Sequence, residues 1–448
     1  MSRPPDRRAF LAALGGSAAL SGVLAQSSRA EADLRPASQR RLLRVSADRL
    51  ARRLADLSQF GRNADGGIDR VGYSDADASA RQWAAQQMRE AALDVRIDAA
   101  GNLIGRRAGR DATLPCIMTG SHIDSVPGGG NYDGQVGSMS AIEAAACLHE
   151  SGIQLGHALE VVIFQNEENG KVGSKAVRGE DPKLYLDLST HSGRTVREGI
   201  RFLGGDPDRV ATALRRPGEI RAFLELHIEQ GAVLEQRRID IGIVEGIVGI
   251  KRWAVTVHGF ANHAGTTPMD QRQDALLAAA RFIDRANRIT RSAPGRQVAT
   301  VGTLSAEPGA PNVIAGRATL TLEMRDLDLA TVDRLFAQIR TESDAIARET
   351  GTTFEFREIY KTLPAQTDAG LRRVLADVAE SLSLSTLAMP SGAGHDAQEI
   401  AQLAPMAMIF VPSRGGISHS PQEFSAPEWI ANGANVLLNA IVSMDAMR

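Results

Sequence analysis

Cysteines and aromatic residues are scarce in this sequence. Only 2 of its 448 residues are cysteine, too few for a disulfide framework or a cysteine-rich metal cluster. Cys116 and Cys147 both lie in apolar segments, which predicts core positions rather than reactive thiols. Aromatic residues make up 4% of the chain, whereas 43 residues are glycine and 43% are hydrophobic. This composition is typical of an α/β protein with large cores and glycine-containing loops.

The chain also lacks an excess of charge of one sign. Lysine and arginine number 51 against 53 aspartates and glutamates, which gives a formal net charge of −2. A basic surplus is typical of proteins that bind nucleic acid or membrane surfaces, so the balance argues against both classes of partner. No apolar run reaches the roughly 20 residues that span a membrane, and we therefore expect no membrane anchor.

The first 30 residues differ from the rest of the chain. Arg7 and Arg8 precede a short stretch of apolar and small residues, 11–25. A basic start, a short apolar middle and a small-residue end are typical of a secretory signal. The paired arginines indicate the twin-arginine route and hence a periplasmic protein. Cleavage after Ala25 or after Ala30 would fit, and the alternative is a basic tail without a targeting role.

Apolar strands alternate with helices through most of the remaining chain. The pattern predicts strands at 115–120, 158–165, 223–228 and 405–411, and helices at 39–60, 79–92 and 136–150. This alternation predicts an α/β fold in which helices cover both faces of a mixed sheet. In such folds ligands bind beyond the carboxyl ends of the strands, so the residues at those ends are the candidates for function.

A different order of elements follows in the region from 251 to 360. The pattern predicts strands at 252–257, 297–304, 317–326 and 353–358, with helices at 273–290 and 331–349. This β-α-β-β-α-β order predicts a smaller α+β, ferredoxin-like domain inserted into the first. We therefore divide the chain into a signal at 1–30, a main catalytic domain formed by 35–248 and 361–448, and an inserted lid or dimerisation domain at 249–360.

Side chains that bind metals follow each of the four predicted main-domain strands. They are His122, Asp133, the pair Glu167 and Glu168, His227 and His419. Asp124 lies two residues beyond His122, where a carboxylate can hold the other ring nitrogen of that histidine. Taken singly, each has a structural explanation: Asp133 could cap the next helix, and the two glutamates could form a solvated turn. Together they predict a metal centre at the carboxyl edge of the sheet.

The ligand types limit the choice of metal. Mixed histidine and carboxylate ligands favour zinc, manganese, cobalt or nickel over calcium. Two divalent ions that share Asp133 explain five ligands better than one ion does. Of the adjacent glutamates, one could bind metal while the other takes a proton from water, a division that suits hydrolysis.

On these motifs the chain resembles the carbamoylase and allantoate amidohydrolase branch of the aminoacylase-type dinuclear metallohydrolases. The motifs are SHIDSVP at 121–127, GNYDG at 130–134, NEE at 166–168, LHIEQG at 226–231, NHAGTTPM at 262–269 and SH at 418–419. The resemblance implies that His122 and His227 bind one metal ion, that Glu168 and His419 bind the other, and that Asp133 bridges them.

The resemblance also implies roles for residues around the metals. Glu167 would be the general base and later the acid, and Asp124 would orient His122. His263, in the inserted domain, would reach the active site of the partner subunit and stabilise the oxyanion, which implies a homodimer. The residues implied to hold the substrate are Gln230, Asn312, Arg325 and His395, with Arg325 on its carboxylate.

The activity implied by the resemblance is hydrolysis of a small carbamoyl or ureido compound. An N-carbamoyl-L-amino acid would be cleaved to the amino acid, ammonia and carbon dioxide by a hydroxide that bridges the metals. Allantoate or ureidoglycolate would require the same ligands. Further alternatives are an aminoacylase or dipeptidase of the wider clan, and an exported binding protein without catalysis. Glu167 argues against the last, because a binding site needs no free carboxylate beside its metals.

Overall fold

The computed structural model describes residues 42–447, and this part of the chain forms two separate β-sheets. The predicted signal at 1–30 lies outside the described residues. The strands are β1 Asp94–Ile97, β2 Leu103–Arg107, β3 Cys116–His122, β4 Leu159–Phe164, β5 Ile220–Ile228, β6 Ile241–Ile247, β7 Gly249–His258, β8 Val298–Glu307, β9 Arg317–Asp326, β10 Thr353–Thr362, β11 Ala365–Gln366, β12 Thr386–Ser391 and β13 Met406–Val411. The α-helices are α1 Ala47–Leu57, α2 Asp75–Glu90, α3 Gln135–Glu150, α4 Val172–Arg178, α5 Val196–Phe202, α6 Val233–Arg237, α7 Ala275–Ser292, α8 Leu329–Thr350, α9 Ala369–Ser381, α10 Asp396–Ile400 and α11 Pro427–Asp445.

The larger sheet has the strand order β1-β2-β4-β3-β5-β13-β6-β11, with β12 paired to β6. Its centre is parallel, since β3 pairs in parallel with β4 and β5, and β13 pairs in parallel with β5. The flanking strands β2 and β6 run antiparallel to their neighbours β4 and β13. The predicted mixed sheet is therefore confirmed, and the carboxyl ends of its four parallel strands meet at one edge.

Both faces of the larger sheet are covered, because its central strands are apolar on both sides. Successive residues of a strand point to opposite faces. Ile117 belongs to one buried cluster, which includes residues of α3 and α11, whereas Met118 belongs to another, which includes residues of α6 and α10. Strands buried on both faces read as continuous apolar runs rather than alternating ones. That property made these strands predictable from the sequence.

The second sheet is fully antiparallel, in the order β10-β7-β9-β8. Together with α7 and α8 it gives the predicted β-α-β-β-α-β order along the chain. Inward-facing residues of β7, such as Trp253 and Val255, form a core with Phe282 of α7 and Leu335 of α8. The predicted α+β arrangement is confirmed. The domain bounds and the lid or dimerisation role stay predictions.

Some elements differ from the prediction. The helix predicted at 39–60 begins only at Ala47, because the side chain of Ser46 accepts the Arg49 amide and caps it. Strands β1, β2, β6, β11 and β12 were not predicted, since they are short or interrupted by glycine. Within β6, Gly242 makes room for packing, because a Cβ there would lie 2.8 Å from Sδ of Met389.

Other sequence expectations can be compared directly with the fold. Cys116, in β3, and Cys147, in α3, are both buried and do not form a disulfide with each other. Among residues 42–447, no helix combines the length and the apolar character that crossing a membrane requires.

Candidate active site

Loops that carry the candidate ligands meet at the carboxyl edge of the parallel strands. His122 is the last residue of β3, and His227 lies one residue before the end of β5. Asp133 lies in the loop between β3 and α3, and His419 in the loop after β13. The pair at 167–168 lies in a turn after β4. The topology of the sheet therefore brings together residues that are nearly 300 positions apart in the chain.

The centre of the cluster is the carboxylate of Asp133. Its Oδ1 lies 3.1 Å from Nε2 of His227 and 3.6 Å from Nε2 of His122. Its Oδ2 lies 3.3 Å from Nε2 of His419, which is also 3.5 Å from Oε1 of Glu168. Two groups that could each hold a metal ion thus share Asp133, one through each carboxylate oxygen.

The hydrogen bonds of the two strand histidines test whether cations fit this arrangement. Nδ1 of His122 lies 3.0 Å from the carbonyl oxygen of Asp124, and Nδ1 of His227 lies 2.9 Å from that of Ile228. A carbonyl oxygen only accepts, so each Nδ1 carries a proton. When the rings are neutral, they present the lone pairs of Nε2 to a carboxylate oxygen of Asp133. A cation between these acceptors relieves their repulsion, so the donor set fits a metal.

The charge balance of the cluster points to the same conclusion. The side chains of Asp133, Glu167 and Glu168 are each at most 10% exposed. Burial raises the pKa of Glu167 to about 7 and that of Glu168 well above its ordinary value. Burial alone would also raise the pKa of Asp133, but its histidine neighbours, His227 foremost, outweigh this effect and hold it well below the ordinary range. Buried carboxylates at this density require compensating positive charge.

Asp124 organises the turn that carries the two glutamates. Its Oδ1 accepts the Glu167 amide at 3.2 Å, and its Oδ2 accepts the Glu168 amide at 3.1 Å. The carboxylate lies 3.8 Å from Nδ1 of His122, whereas the carbonyl oxygen of Asp124 receives the hydrogen bond. The main chain of Asp124 thus makes the hydrogen bond to the ring, and the expected role of its carboxylate toward His122 stays a prediction.

The two glutamates face different parts of the cluster. Oε2 of Glu167 lies 3.8 Å from Nε2 of His122, while Glu168 lies beside His419. Their side chains diverge in a turn and not along a strand. Strand β4 ends at Phe164, and the pair follows Asn166, whose φ of 52° starts a turn.

Two residues expected to hold substrate contact the cluster itself. Gln230 donates from Nε2 to Oδ2 of Asp133 at 2.5 Å. The ring of His395 lies 4.5 Å from that of His227, and its Nε2 lies 2.8 Å from Oγ of Ser391. His395 is only 2% exposed, so it packs behind His227. In this position it supports the His227 ring, and its predicted role in substrate contact stays a prediction.

Arg325 connects the inserted region to the larger sheet. It lies one residue before the end of β9 and donates from Nε to Oε1 of Glu323 at 2.8 Å. It also donates from Nη1 to the carbonyl oxygen of Gly392 at 2.6 Å, in the loop after β12. Its ion pair within the described residues is with Glu323, and not with the neighbouring Asp326 or Asp328.

The remaining predicted residues, His263 and Asn312, are exposed, and the hydrogen bonds that the structure gives them are local ones. They occupy adjacent segments, because His263 pairs with Val313 and the amide of Ala264 donates to the Asn312 carbonyl at 3.0 Å. Nδ1 of His263 accepts the Gly265 amide at 3.0 Å. In the neutral ring the proton is therefore on Nε2, as a donor role requires.

A cleft of about 940 Å³ opens beside the cluster. Gln230, Ser418 and His419 line it on the cluster side. Much of the rest of its lining is apolar and comes from Val233, Val298, Leu387, Met389 and Pro390. The cleft has room for a small organic substrate whose reacting group lies near Asp133.

Sequence reasoning missed two buried acids that hold the cluster in place. Glu225 precedes His227 by two residues on β5, and its Oε1 accepts the hydroxyl of Ser121 at 2.7 Å. The sequence does mark Glu225, because it is a charged residue in an otherwise apolar strand and lies on the same face as the candidate ligand His227. Glu423 accepts the Asp133 amide at 3.1 Å, and no comparable sequence signal marks it.

Comparison with known proteins gives consistent matches. The pattern described as peptidase family M20/M25/M40 matches residues 118–443. An N-carbamoyl-L-amino acid amidohydrolase from Geobacillus stearothermophilus is 37% identical over 402 residues, 89% of this chain and 98% of that protein. A ureidoglycolate hydrolase from Arabidopsis thaliana is 36% identical over 88% of this chain and 86% of its own length. The crystal structure of an amidase of the hydantoinase/carbamoylase family from Burkholderia multivorans superposes with a TM-score of 0.82 at 35% identity, covering 90% of this chain and 99% of that one.

Gly134 provides a test of the cluster geometry. A Cβ at this position would lie 2.3 Å from Nε2 of His122, and its φ is +75°. We predict that Gly134→Ala loses bound zinc, measured by metal analysis after dialysis, because the methyl group occupies the space in front of the ligand. Gly128→Ala is the matched control, since Gly128 has a φ of +64° but no atom within 4 Å of the added Cβ. It shares the positive φ and should keep its zinc. Full zinc content in Gly134→Ala would contradict the geometry.

Proposed function

We propose that this chain, which belongs to peptidase family M20/M25/M40 and to its carbamoylase and allantoate amidohydrolase branch, hydrolyses an N-carbamoyl-L-amino acid to the amino acid, ammonia and carbon dioxide. The observation that carries the proposal is the carboxylate of Asp133 between two sets of candidate ligands, with the buried Glu167 beside them. Proton transfer in hydrolysis requires a carboxylate that lies next to the metal centre but does not itself bind the metal.

We infer that the cluster holds two divalent cations, zinc or manganese, with cobalt or nickel as alternatives. His122 and His227 would hold one, Glu168 and His419 the other, and Asp133 both. When bound, the cations lower the pKa of the attacking water and polarise the substrate carbonyl. The support for a pair of cations is that each oxygen of Asp133 faces its own set of donors.

In this proposal Glu167 moves the proton. Its pKa of about 7, raised by burial, lets it take a proton from water and later release it near neutral pH. The water oxygen adds to the carbamoyl carbon, the terminal C–N bond breaks, and Glu167 returns the proton to the nitrogen that leaves as ammonia. The carbamate that remains decomposes to carbon dioxide and the amino acid.

The rest of the substrate would lie in the cleft next to Gln230 and His419. Arg325 is the proposed partner of the substrate carboxylate, because a guanidinium can bind both oxygens of a carboxylate at once. Nη1 of Arg325 donates to the Gly392 carbonyl, and a carboxylate would replace this weaker acceptor. Closure of the inserted region would bring Asn312 toward the substrate and exclude water.

The second candidate substrate class is allantoate or ureidoglycolate, which would use the same ligands. The apolar residues that line the cleft, Leu387 and Met389 among them, favour the side chain of an amino acid over these polar compounds. Ammonia release from N-carbamoyl-L-amino acids, allantoate and ureidoglycolate separates these substrate classes. N-acetyl amino acids and dipeptides are tested beside them, with release of the amino acid as the measurement. Activity on the last two alone would indicate an aminoacylase or dipeptidase. No activity with metal bound would favour a binding protein.

Glu167→Gln tests the proposed base. We predict a fall in kcat of about 10²–10⁴-fold for ammonia release, because the amide cannot take a proton. Its metal content should equal that of the wild type, since Glu167 is not a proposed ligand. Glu219→Gln, at an exposed glutamate, is the control and should keep full activity. Activity within a few fold of wild type in Glu167→Gln would rule out this role.

We also propose a homodimer in which His263 of each subunit serves the active site of its partner. In support, His263 is exposed and makes only local hydrogen bonds within the part of its own chain that the structure describes, with its proton placed on Nε2. Glu167→Gln and His263→Ala should each be nearly inactive. Mixed and reassembled in equal amounts, they should recover about a quarter of wild-type activity, because half of the dimers are mixed and each has one complete site. No recovery in a mixture shown to contain mixed dimers would contradict the proposal.

Finally, we propose export to the periplasm by the twin-arginine route. Its support is Arg7 and Arg8 ahead of the short apolar stretch. Changing both to lysine should retain the protein in the cytoplasm of a bacterial host, since the route reads the arginine pair. Arg3→Lys is the control and should be exported, with cell fractionation as the measurement. An unchanged periplasmic fraction in the double variant would contradict the proposal.

A further inference from the structure

The proposed metal ligands are not all held in the same way. His122 and His227 belong to strands β3 and β5, whose positions the parallel sheet fixes. Asp133 and His419 lie in loops outside any helix or strand. A metal site needs its ligands placed to within a fraction of an ångström, so something must hold these two loops against each other.

One buried carboxylate, that of Glu423, contacts both loops. Its Oε1 accepts the amide of Tyr132 at 2.8 Å and that of Asp133 at 3.1 Å. Its Oε2 accepts the hydroxyl of Ser418 at 2.9 Å and the amide of His419 at 3.3 Å. Glu423 is only 5% exposed, so water competes little for these hydrogen bonds.

We propose that Glu423 is a positioning residue that aligns Asp133 with His419 and thereby sets the affinity of the cation site formed by Asp133, Glu168 and His419. The inference rests on the proposed pair of cations, but not on the identity of the substrate. Glu423 is not itself a ligand, because four donors already occupy its two oxygens. The hydroxyl of Ser418 reinforces the link, since it also lies 2.9 Å from Oδ2 of Asp133.

The sequence leaves room for this carboxylate at Gly130. A Cβ at Gly130 would lie 2.2 Å from Oε1 and 2.4 Å from Cβ of Glu423. Because the second atom is close to the backbone, the side chain could not escape by rotating its far end. Any residue other than glycine at position 130 would therefore displace Glu423 from the two loops.

The two cation sites should depend on Glu423 to different degrees. Nδ1 of His122 and Nδ1 of His227 are held by backbone carbonyls of Asp124 and Ile228, and neither ring contacts Glu423. Loss of Glu423 would leave these two ligands in place. It would free Asp133 and His419 to move apart, so the site of Glu168 and His419 should weaken more.

Glu423→Gln tests this inference. The full chain is first treated with a chelator, and its affinity for Co²⁺ is then measured by calorimetry and by visible absorption. The side chain of glutamine has only one accepting oxygen. If that oxygen accepts the main-chain amides of Tyr132 and Asp133, the NH₂ group faces the main-chain amide of His419, and two donors then oppose each other. The expected result is a second Co²⁺ bound about 10–100-fold more weakly, with the first within about threefold of wild type. Glu428→Gln, at an exposed glutamate five residues further along, should leave both affinities unchanged.

Gly130→Ala is the second variant, because it keeps the carboxylate of Glu423 but fills the space that this side chain occupies. The same selective loss of the second Co²⁺ is expected. If Glu423→Gln does not fold, the result from Gly130→Ala tests the positioning role by itself. Unchanged affinities, or equal weakening at both sites, would overturn the positioning role. A wild-type chain that binds no second ion would instead refute the cation pair of the proposed function, and this inference with it.

Discussion

The carboxylate of Asp133 is the group on which the rest of the site depends. It is buried, and an unpaired buried carboxylate is costly. His122, His227 and His419 surround it on both oxygens, and they come from strands and loops that only a parallel sheet brings together. The arrangement is electrostatically complete only when positive charge lies between the carboxylate and the nitrogens that face it, which is the basis for proposing a metal centre at this edge of the sheet.

The same cluster favours different chemical roles for two neighbouring carboxylates. Positive charge on the facing histidines keeps the pKa of Asp133 well below its ordinary value, so it stays an anion, as the proposed role of a ligand requires. Burial raises the pKa of Glu167 to about 7, which suits a group that takes up and returns a proton. Carboxylates whose environments drive their pKa values apart are typical of sites for acid and base catalysis. The turn that places Glu167 beside Asp133 is held by Asp124, which accepts the amides of Glu167 and Glu168.

Much of this could be read from the sequence, and the rest could not, for physical reasons. The central strands are apolar on both faces and end in histidines or acids, so both their existence and the residues at their ends were predictable. Distances between side chains were not, and the packing of His395 against the His227 ring is one contact that the sequence does not predict. Glu423 follows a proline-containing loop like many surface glutamates, and only its four hydrogen bonds in the folded chain distinguish it.

The most direct test of this account is anomalous X-ray diffraction from crystals of the zinc-loaded protein, collected on both sides of the zinc absorption edge. The account predicts two zinc peaks, one on each side of the Asp133 carboxylate. One would lie near Nε2 of His122 and of His227, and the other near Glu168 and His419. A single peak, or peaks away from Asp133, would contradict the claim that this carboxylate joins two cation sites.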